Sequence, residues 1–267
     1  MSAQAASSGH ATVSADGTTK KPASRRKPAV ASTPPPPTLI ERTNALHLED
    51  LKSRFLDGSL LAFAGPSDNA STSSYHIELY TSSSLPEATF NDCFDLLEAN
   101  MSTSYRITSI GWHPRKKKEE MKHPAMRYLI LTAVAGGSSD DINPAAEKAR
   151  EGTAVGSMFI GFLEFMITEE EGAEVIYTYE LDLVPSHQKL GLGKKLLDVA
   201  EEFGKRVGVE KAMLTVFDSN KGARRFYERE GYDIDEISPD PKTLRNGLVK
   251  PPTFHILSKS FIPPTND

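Results

Sequence analysis

The run Gln188-Lys189-Leu190-Gly191-Leu192-Gly193-Lys194 constrains this chain more than any other stretch. An apolar strand pattern, Val175 to Val184, leads into it. An amphipathic helical pattern, Gly191 to Val207, leads out and stops near Gly208. Two glycines around Leu192 let the backbone approach a ligand with no Cβ in the way. The unpaired N–H groups of a helix starting there face a negative charge. The run therefore reads as a pyrophosphate cradle, and it lacks the Gly-Lys-Ser/Thr ending of a nucleoside-triphosphate loop. A purely structural strand-to-helix turn uses glycines in the same way, so the motif alone leaves both readings open.

The rest of the chain supplies a sheet around that turn. Strand patterns run over Tyr75–Thr81, Arg127–Val134, Ser157–Ile167, Lys211–Phe217, Tyr232–Ile237 and Phe254–Ser260. Helical spacing covers Leu46–Phe55, Pro86–Met101 and Ser219–Glu230. Arg115 to Glu120 reads as a charged turn, and the polar stretch Gly136 to Thr153 as a long mobile connection. This order predicts an α/β fold, a mixed sheet with helices on its faces. The unit from Val175 to Phe217 should be a crossover with parallel strands, and the glycine turn then sits at a strand's carboxyl end, where open sheets bind ligands.

Residues 1–38 are rich in Ser, Ala, Thr and Pro and end in four prolines from Pro34 to Pro37. They carry too little apolar surface to offset ordering, which predicts a disordered basic arm. The domain then covers 39–262, with a short tail at 263–267. Lys20, Lys21, Arg25, Arg26 and Lys27 against Asp16 give the arm +4, so a chain of net −5 leaves −9 elsewhere. An acidic body favours a basic partner, although many soluble domains are acidic without one. The basic cluster reads as a nuclear-import signal, a nucleic-acid contact or a solvated charge run. Cys93 is the single cysteine, which excludes an internal disulfide or a cysteine zinc site and suits a reducing compartment. No stretch has the length of a membrane span, and no signal-peptide core begins the chain.

Gln188 to Gly193 resembles the acetyl-CoA motif of the GNAT acetyltransferase superfamily, and "TVFDSNKGARRFYEREGY" resembles its second block. "VIYTYELDL", "KAMLTVF", "YDIDEISP", "HILSK" and "GWHPRKKKEEM" are similar to the NatD family within it, over about Leu46 to Ser260. That resemblance implies a GNAT fold and transfer of acetyl from acetyl-CoA, with no metal, to the N-terminal amine of histone H4 and the type 2A histone, both beginning Ser-Gly-Arg-Gly. It also implies a protein of nucleus and cytoplasm, associating with chromatin or ribosomes. A monomer is expected.

An α-amine has a pKa of roughly 7.7–8.0, so a modest base suffices. The resemblance points to Glu180 for that role, with Tyr179 beside it. A strand-end glutamate on a solvated face is the plain alternative. Strand alternation puts Tyr177 and Tyr179 opposite Thr178 and Glu180, so a regular strand cannot bring both sides to one pocket; the resemblance implies a bulge here that re-aims Tyr179 or Glu180 and a splaying from the next strand. The resemblance further assigns pantetheine pairing to Leu181, Asp182 and Leu183. It assigns the pyrophosphate to Gln188, Lys189, Leu190, Gly191, Leu192, Gly193 and Lys194, although Lys194 also fits a plain helix surface. Asn220 is expected to contact CoA or to cap a helix, and Tyr227 to protonate the leaving thiolate or to fill the core. The substrate slot is assigned to Tyr105, Trp112, Glu170, Tyr177, Tyr179, Thr215, Ser238 and Phe254. Thr168, Ile110 and Phe254 depart from that family's pattern. Cys93 is expected to lie far from the motifs.

Overall fold

In the computed structural model, which describes residues 35–65, 74–108, 111–134 and 157–263, helices cover both faces of an eight-stranded sheet. Three short helices come first: α1 (Leu39–Asn44), α2 (Leu48–Phe55) and α3 (Gly58–Leu61). Strands β1 (Ala62–Ala64) and β2 (Ser74–Thr81) follow, then helices α4 (Glu87–Arg106) and α5 (Pro114–Met121). Next are β3 (Arg127–Val134), β4 (Ser157–Glu170) and β5 (Ala173–Leu183). A 3-10 turn, Pro185–His187, leads to α6 (Leu192–Val207), β6 (Lys211–Phe217) and α7 (Lys221–Arg229). The chain ends with β7 (Asp233–Ile234), a hairpin of β8 (Lys242–Thr243) and β9 (Val249–Lys250), and β10 (Phe254–Ser260). The main sheet runs β1-β2-β3-β4-β5-β6-β10-β7, and only β5 and β6 pair in parallel.

Two apolar layers explain this arrangement. On one face α6 buries Leu192, Leu196, Leu197, Ala200, Phe203 and Val207 against Ile176, Leu181 and Leu183 of β5. These positions recur at helical spacing, and each large side chain buried there contributes about 1.5–3 kcal/mol. Gly191 begins the helix at φ 79° and Gly208 ends it at φ 96°, left-handed conformations that favour glycine. On the other face α4 buries Phe90, Cys93, Phe94, Leu97, Met101 and Tyr105 against Tyr128, Ile130 and Phe162.

The strands Arg127–Val134, Lys211–Phe217 and Phe254–Ser260 form as their sequences predict, and the parallel β5–β6 pair is present. Three local expectations fail. The charged run from Arg115 is a helix: Pro114 sits in its first turn, and Lys117 and Met121 are buried one turn apart. Lys118 and Lys122 of this segment lie over the rings of Phe94 and Phe90, 4.2 and 4.5 Å from the centroids. The strand expected over Tyr232–Ile237 is only Asp233–Ile234. Asp235 breaks it, its carboxylate accepting from the Ile237 N–H at 3.1 Å and from Lys211 at 2.7 Å. The helix expected from Leu46 begins at Leu48, because residues 45–47 turn the chain out of α1. The arm up to residue 34, Ile110, the stretch Gly136 to Thr153 and most of the short tail lie outside the described residues.

Two irregularities in β5 make the site. Glu164 pairs with Glu180, but the next residue of β4, Phe165, pairs with Thr178, so Tyr179 is an extra residue in β5. Parallel pairing of β5 with β6 runs from Val175–Lys211 to Thr178–Leu214 and stops, although both strands continue. From Tyr179 onward the two strands part.

Candidate active site

The bulge settles the alternation problem. Tyr177 and Tyr179 stand with ring centroids 5.4 Å apart on the α4 side of the sheet. One residue past the bulge, Glu180 points to that same side, where it meets Tyr105 of α4 and Lys117 of α5. Leu181 and Leu183 face α6. Tyr179 and Glu180 therefore share a face, which a regular strand forbids.

Glu180 is fully buried. Its Oε1 accepts from the Tyr105 hydroxyl at 2.9 Å and lies 2.8 Å from Lys117 Nζ, while Oε2 has no hydrogen-bond partner. Lys117 also contacts Glu120. Burial pushes the Glu180 carboxyl well above the ordinary range; Lys117 opposes this, and Asp182 and Glu164 add to it. For Lys117, the surrounding carboxylates and Tyr105 outweigh burial and hold the ammonium charged. Such a carboxylate, fixed at one oxygen and open at the other, suits proton abstraction from an amine.

The residues expected to line a substrate slot gather around this point. Tyr105 makes edge contacts with Trp112 and Phe217 at 5.1 and 5.2 Å between centroids. The half-buried Trp112 donates its indole N–H to Glu98 at 2.9 Å, which fixes the ring. Phe254 pairs across from Phe217 and packs with the same cluster. Tyr177 and Thr215 share a hydrogen bond of 2.6 Å. Ser238 accepts from the N–H of Ile256, which packs on the cluster containing Tyr177. Glu170 lies at the far end of β4, and burial followed by Glu171 raises its carboxyl. After burial, Glu120, Glu170 and Glu164 are the groups that raise the Tyr179 phenol, so carboxylates dominate its surroundings. Thr168 lies between Met166 and Glu170 on β4.

The residues expected to hold the cofactor divide. Val184 donates to Ile160 of β4, so alternation turns the peptide groups of Leu181 and Leu183 toward the unpaired edge and that of Asp182 toward β4. The Asp182 side chain accepts from Asn100 at 2.9 Å on the α4 side. The Leu183 carbonyl accepts from Gln188 at 3.1 Å, so Gln188 braces the strand end. Lys189 (φ 65°) and Gly191 turn the chain so that the first amides of α6 are presented at the end of β5. Gly193 is the second residue of α6, where a Cβ would come within 3.4 Å of Leu181 Cδ2. Leu190 and Leu192 diverge, the first exposed and the second in the core. Lys194 is held by Asp198 at 2.7 Å and Glu230 at 2.9 Å, which makes it a helix-surface residue in this structure. Asn220 caps α7, its side chain accepting from the Ala223 N–H at 3.1 Å. Tyr227 is fully buried with an unpartnered hydroxyl; burial raises its pKa most, then Asp182 and Glu180.

Sequence reasoning missed Glu164, Lys117 and Glu120. Cys93 is fully buried in α4, and burial first, then Glu164, Asp92 and Asp182, keeps its thiol protonated. Among the described residues, no group of three or more His, Cys, Asp or Glu is arranged to hold a metal ion, and no helix is long and apolar enough to cross a membrane.

Parts of this chain are similar to known proteins. N-alpha-acetyltransferase 40 of Saccharomyces cerevisiae is 34% identical over 147 residues, 45% of this chain and 51% of that protein; the match spans about half the relative's length. Among solved structures, Arabidopsis thaliana NAA60 in complex with a bisubstrate analogue is 13% identical, with 70% of this chain and 99% of that chain covered and a TM-score of 0.44. The PaiA N-acetyltransferase of Thermoplasma acidophilum in complex with coenzyme A is 16% identical, with coverages of 70% and 99% and a TM-score of 0.43. The profile of the acetyltransferase (GNAT) family matches residues 122–232, the stretch from the end of α5 through α7 that holds the bulge, the parting strands and the glycine turn. The chain carries a GNAT acetyltransferase domain.

Proposed function

We propose that this protein is an N-terminal acetyltransferase of the NatD type, moving acetyl from acetyl-CoA to the α-amine of chains that begin Ser-Gly-Arg-Gly, as histone H4 and the type 2A histone do. The observation that carries the reading is the bulge at Tyr179, which aims Glu180 and two tyrosines into one buried site beside the point where β5 and β6 part. The outward peptide groups of Leu181 and Leu183 suit the pantetheine amides, and the amides opening α6 suit the pyrophosphate. Glu180 takes a proton from the α-ammonium, directly or through one water, and the freed amine attacks the thioester carbonyl. A C–N bond forms, the C–S bond breaks, and the nitrogen sheds its second proton, which replaces the one that the buried Tyr227 phenol, the candidate donor, gives to the thiolate.

The amine's own pKa of roughly 7.7–8.0 makes this economical, whereas a lysine at about 10.4 demands a stronger base. Glu120 and Glu170 around Tyr179 favour a cationic chain end carrying both an α-ammonium and an arginine. The match to N-alpha-acetyltransferase 40 supports the same reading. Action in the nucleus and cytoplasm, with the +4 arm docking on chromatin or ribosomes, belongs to this proposal. The test is incubation with acetyl-CoA and a Ser-Gly-Arg-Gly peptide that contains an internal lysine, read by mass spectrometry. Acetate on the α-amine is expected; acetate on lysine alone rejects the proposal.

A further inference from the structure

β4 carries a second carboxyl into the buried cluster. Glu164 stands opposite Glu180 in register, is fully buried, and neither of its oxygens has a hydrogen-bond partner. The groups around it come from four elements. β3 gives Tyr128, its register neighbour, whose hydroxyl is donated to the Met121 carbonyl. α5 gives Lys117 and Glu120, and β5 gives Glu180 and Asp182, with Tyr179 beside them. α4 gives Cys93 and, through Glu180, Tyr105. Lys117 is the cation of this set, against four carboxyl groups, and it is bonded to Glu180 and Glu120. Tyr105 adds a donor to Glu180, and Asn100 supplies one to Asp182. For Glu164 the donor close by is the Tyr128 hydroxyl, and that proton goes to the Met121 carbonyl. A buried carboxylate in that position costs several kcal/mol, and the neutral acid costs far less.

We propose that Glu164 is a positioning residue of the acetyl-transfer centre, holding a proton at rest so that Lys117 and Tyr105 act on Glu180 and Glu180 carries the charge. The inference rests on the reading of Glu180 as the base. Burial raises both carboxyls, Glu164 to about 8 and Glu180 as well, but Glu180 has Lys117 at 2.8 Å and the Tyr105 hydroxyl at 2.9 Å on one oxygen, so the negative charge belongs there. When Glu164 releases its proton to solvent, a second carboxylate competes for Lys117 and Glu180 loses its fixed orientation. Two carboxyls with one proton, separated in role by unequal surroundings, are the result.

Infrared spectroscopy of the full chain reads that proton directly. Near neutral pH the carbonyl band of a buried carboxylic acid is expected in the parent protein and in Glu180→Gln, and it should be missing in Glu164→Gln. It should fade as pH rises through about 8. A band that vanishes with Glu180→Gln instead, or no band that depends on Glu164, overturns the proposal. This measurement uses no substrate, so it fails or succeeds apart from the proposed acetyl transfer. The second readout is kcat/KM against pH with acetyl-CoA and the Ser-Gly-Arg-Gly peptide. The parent should show an alkaline decline that Glu164→Gln lacks and that Glu164→Asp, which keeps an acid, restores. An identical decline in all three contradicts it.

Discussion

Replacing Glu164 by glutamine removes a proton-binding group that sets how stability depends on pH. The folded chain holds this proton up to about pH 8, while the unfolded chain releases it at the ordinary value of 4.5. A carboxyl whose folded pKa is raised adds stability at low pH and loses it as pH climbs between those limits, by about 1.4 kcal/mol per pH unit. The loss is under about 1 kcal/mol at pH 5 and about 3 kcal/mol at pH 7, and it approaches about 5 kcal/mol above pH 8. Glutamine has the same shape and does not titrate, so it escapes this loss. Urea denaturation of both proteins from pH 5 to 9 should show nearly equal stability at the acid end. The gap should then widen in favour of Glu164→Gln. A gap independent of pH, or a variant less stable at pH 8, would refute the assignment of a buried protonated acid at this position.

Two further outcomes follow from individual contacts. Tyr227→Phe deletes a buried hydroxyl that has no partner. It should leave stability equal or about 1 kcal/mol higher, while turnover falls at least tenfold if the phenol protonates the thiolate; unchanged turnover assigns Tyr227 to the core. Asn220→Ala removes the cap on the Ala223 N–H and should cost about 1 kcal/mol in thermal or urea denaturation. An unchanged acetyl-CoA Kd in that variant would make Asn220 a capping residue alone.

The strands were legible wherever alternation ran between clear turn signals, as in Arg127–Val134, Lys211–Phe217 and Phe254–Ser260. The glycine turn was legible because left-handed backbone restricts the residue type at Gly191 and Gly208. Lys117 was hidden because a charge run reads as a solvated face, whereas here Lys118 and the neighbouring Lys122 lie over phenylalanine rings and Lys117 is buried as a counter-ion. Glu164 sits inside the apolar run Met158 to Ile167, and that isolated carboxyl was the available signal. The conflict between Tyr179 and Glu180 was legible from alternation and the bulge came from the family resemblance, but its position depends on the register with β4, which a single strand's sequence does not encode. Asp235 ended a strand through side-chain hydrogen bonds to its own turn and to Lys211, contacts that periodicity does not register.

The central claim is that the bulge delivers Glu180 to the reacting amine as its base. It is tested most directly by measuring turnover and acetyl-CoA affinity of Glu180→Gln side by side, the first with the Ser-Gly-Arg-Gly peptide and the second by calorimetry. The account predicts a fall in kcat of about 10²-fold or more with the acetyl-CoA Kd within about twofold of the parent. Turnover equal to the parent's would contradict it.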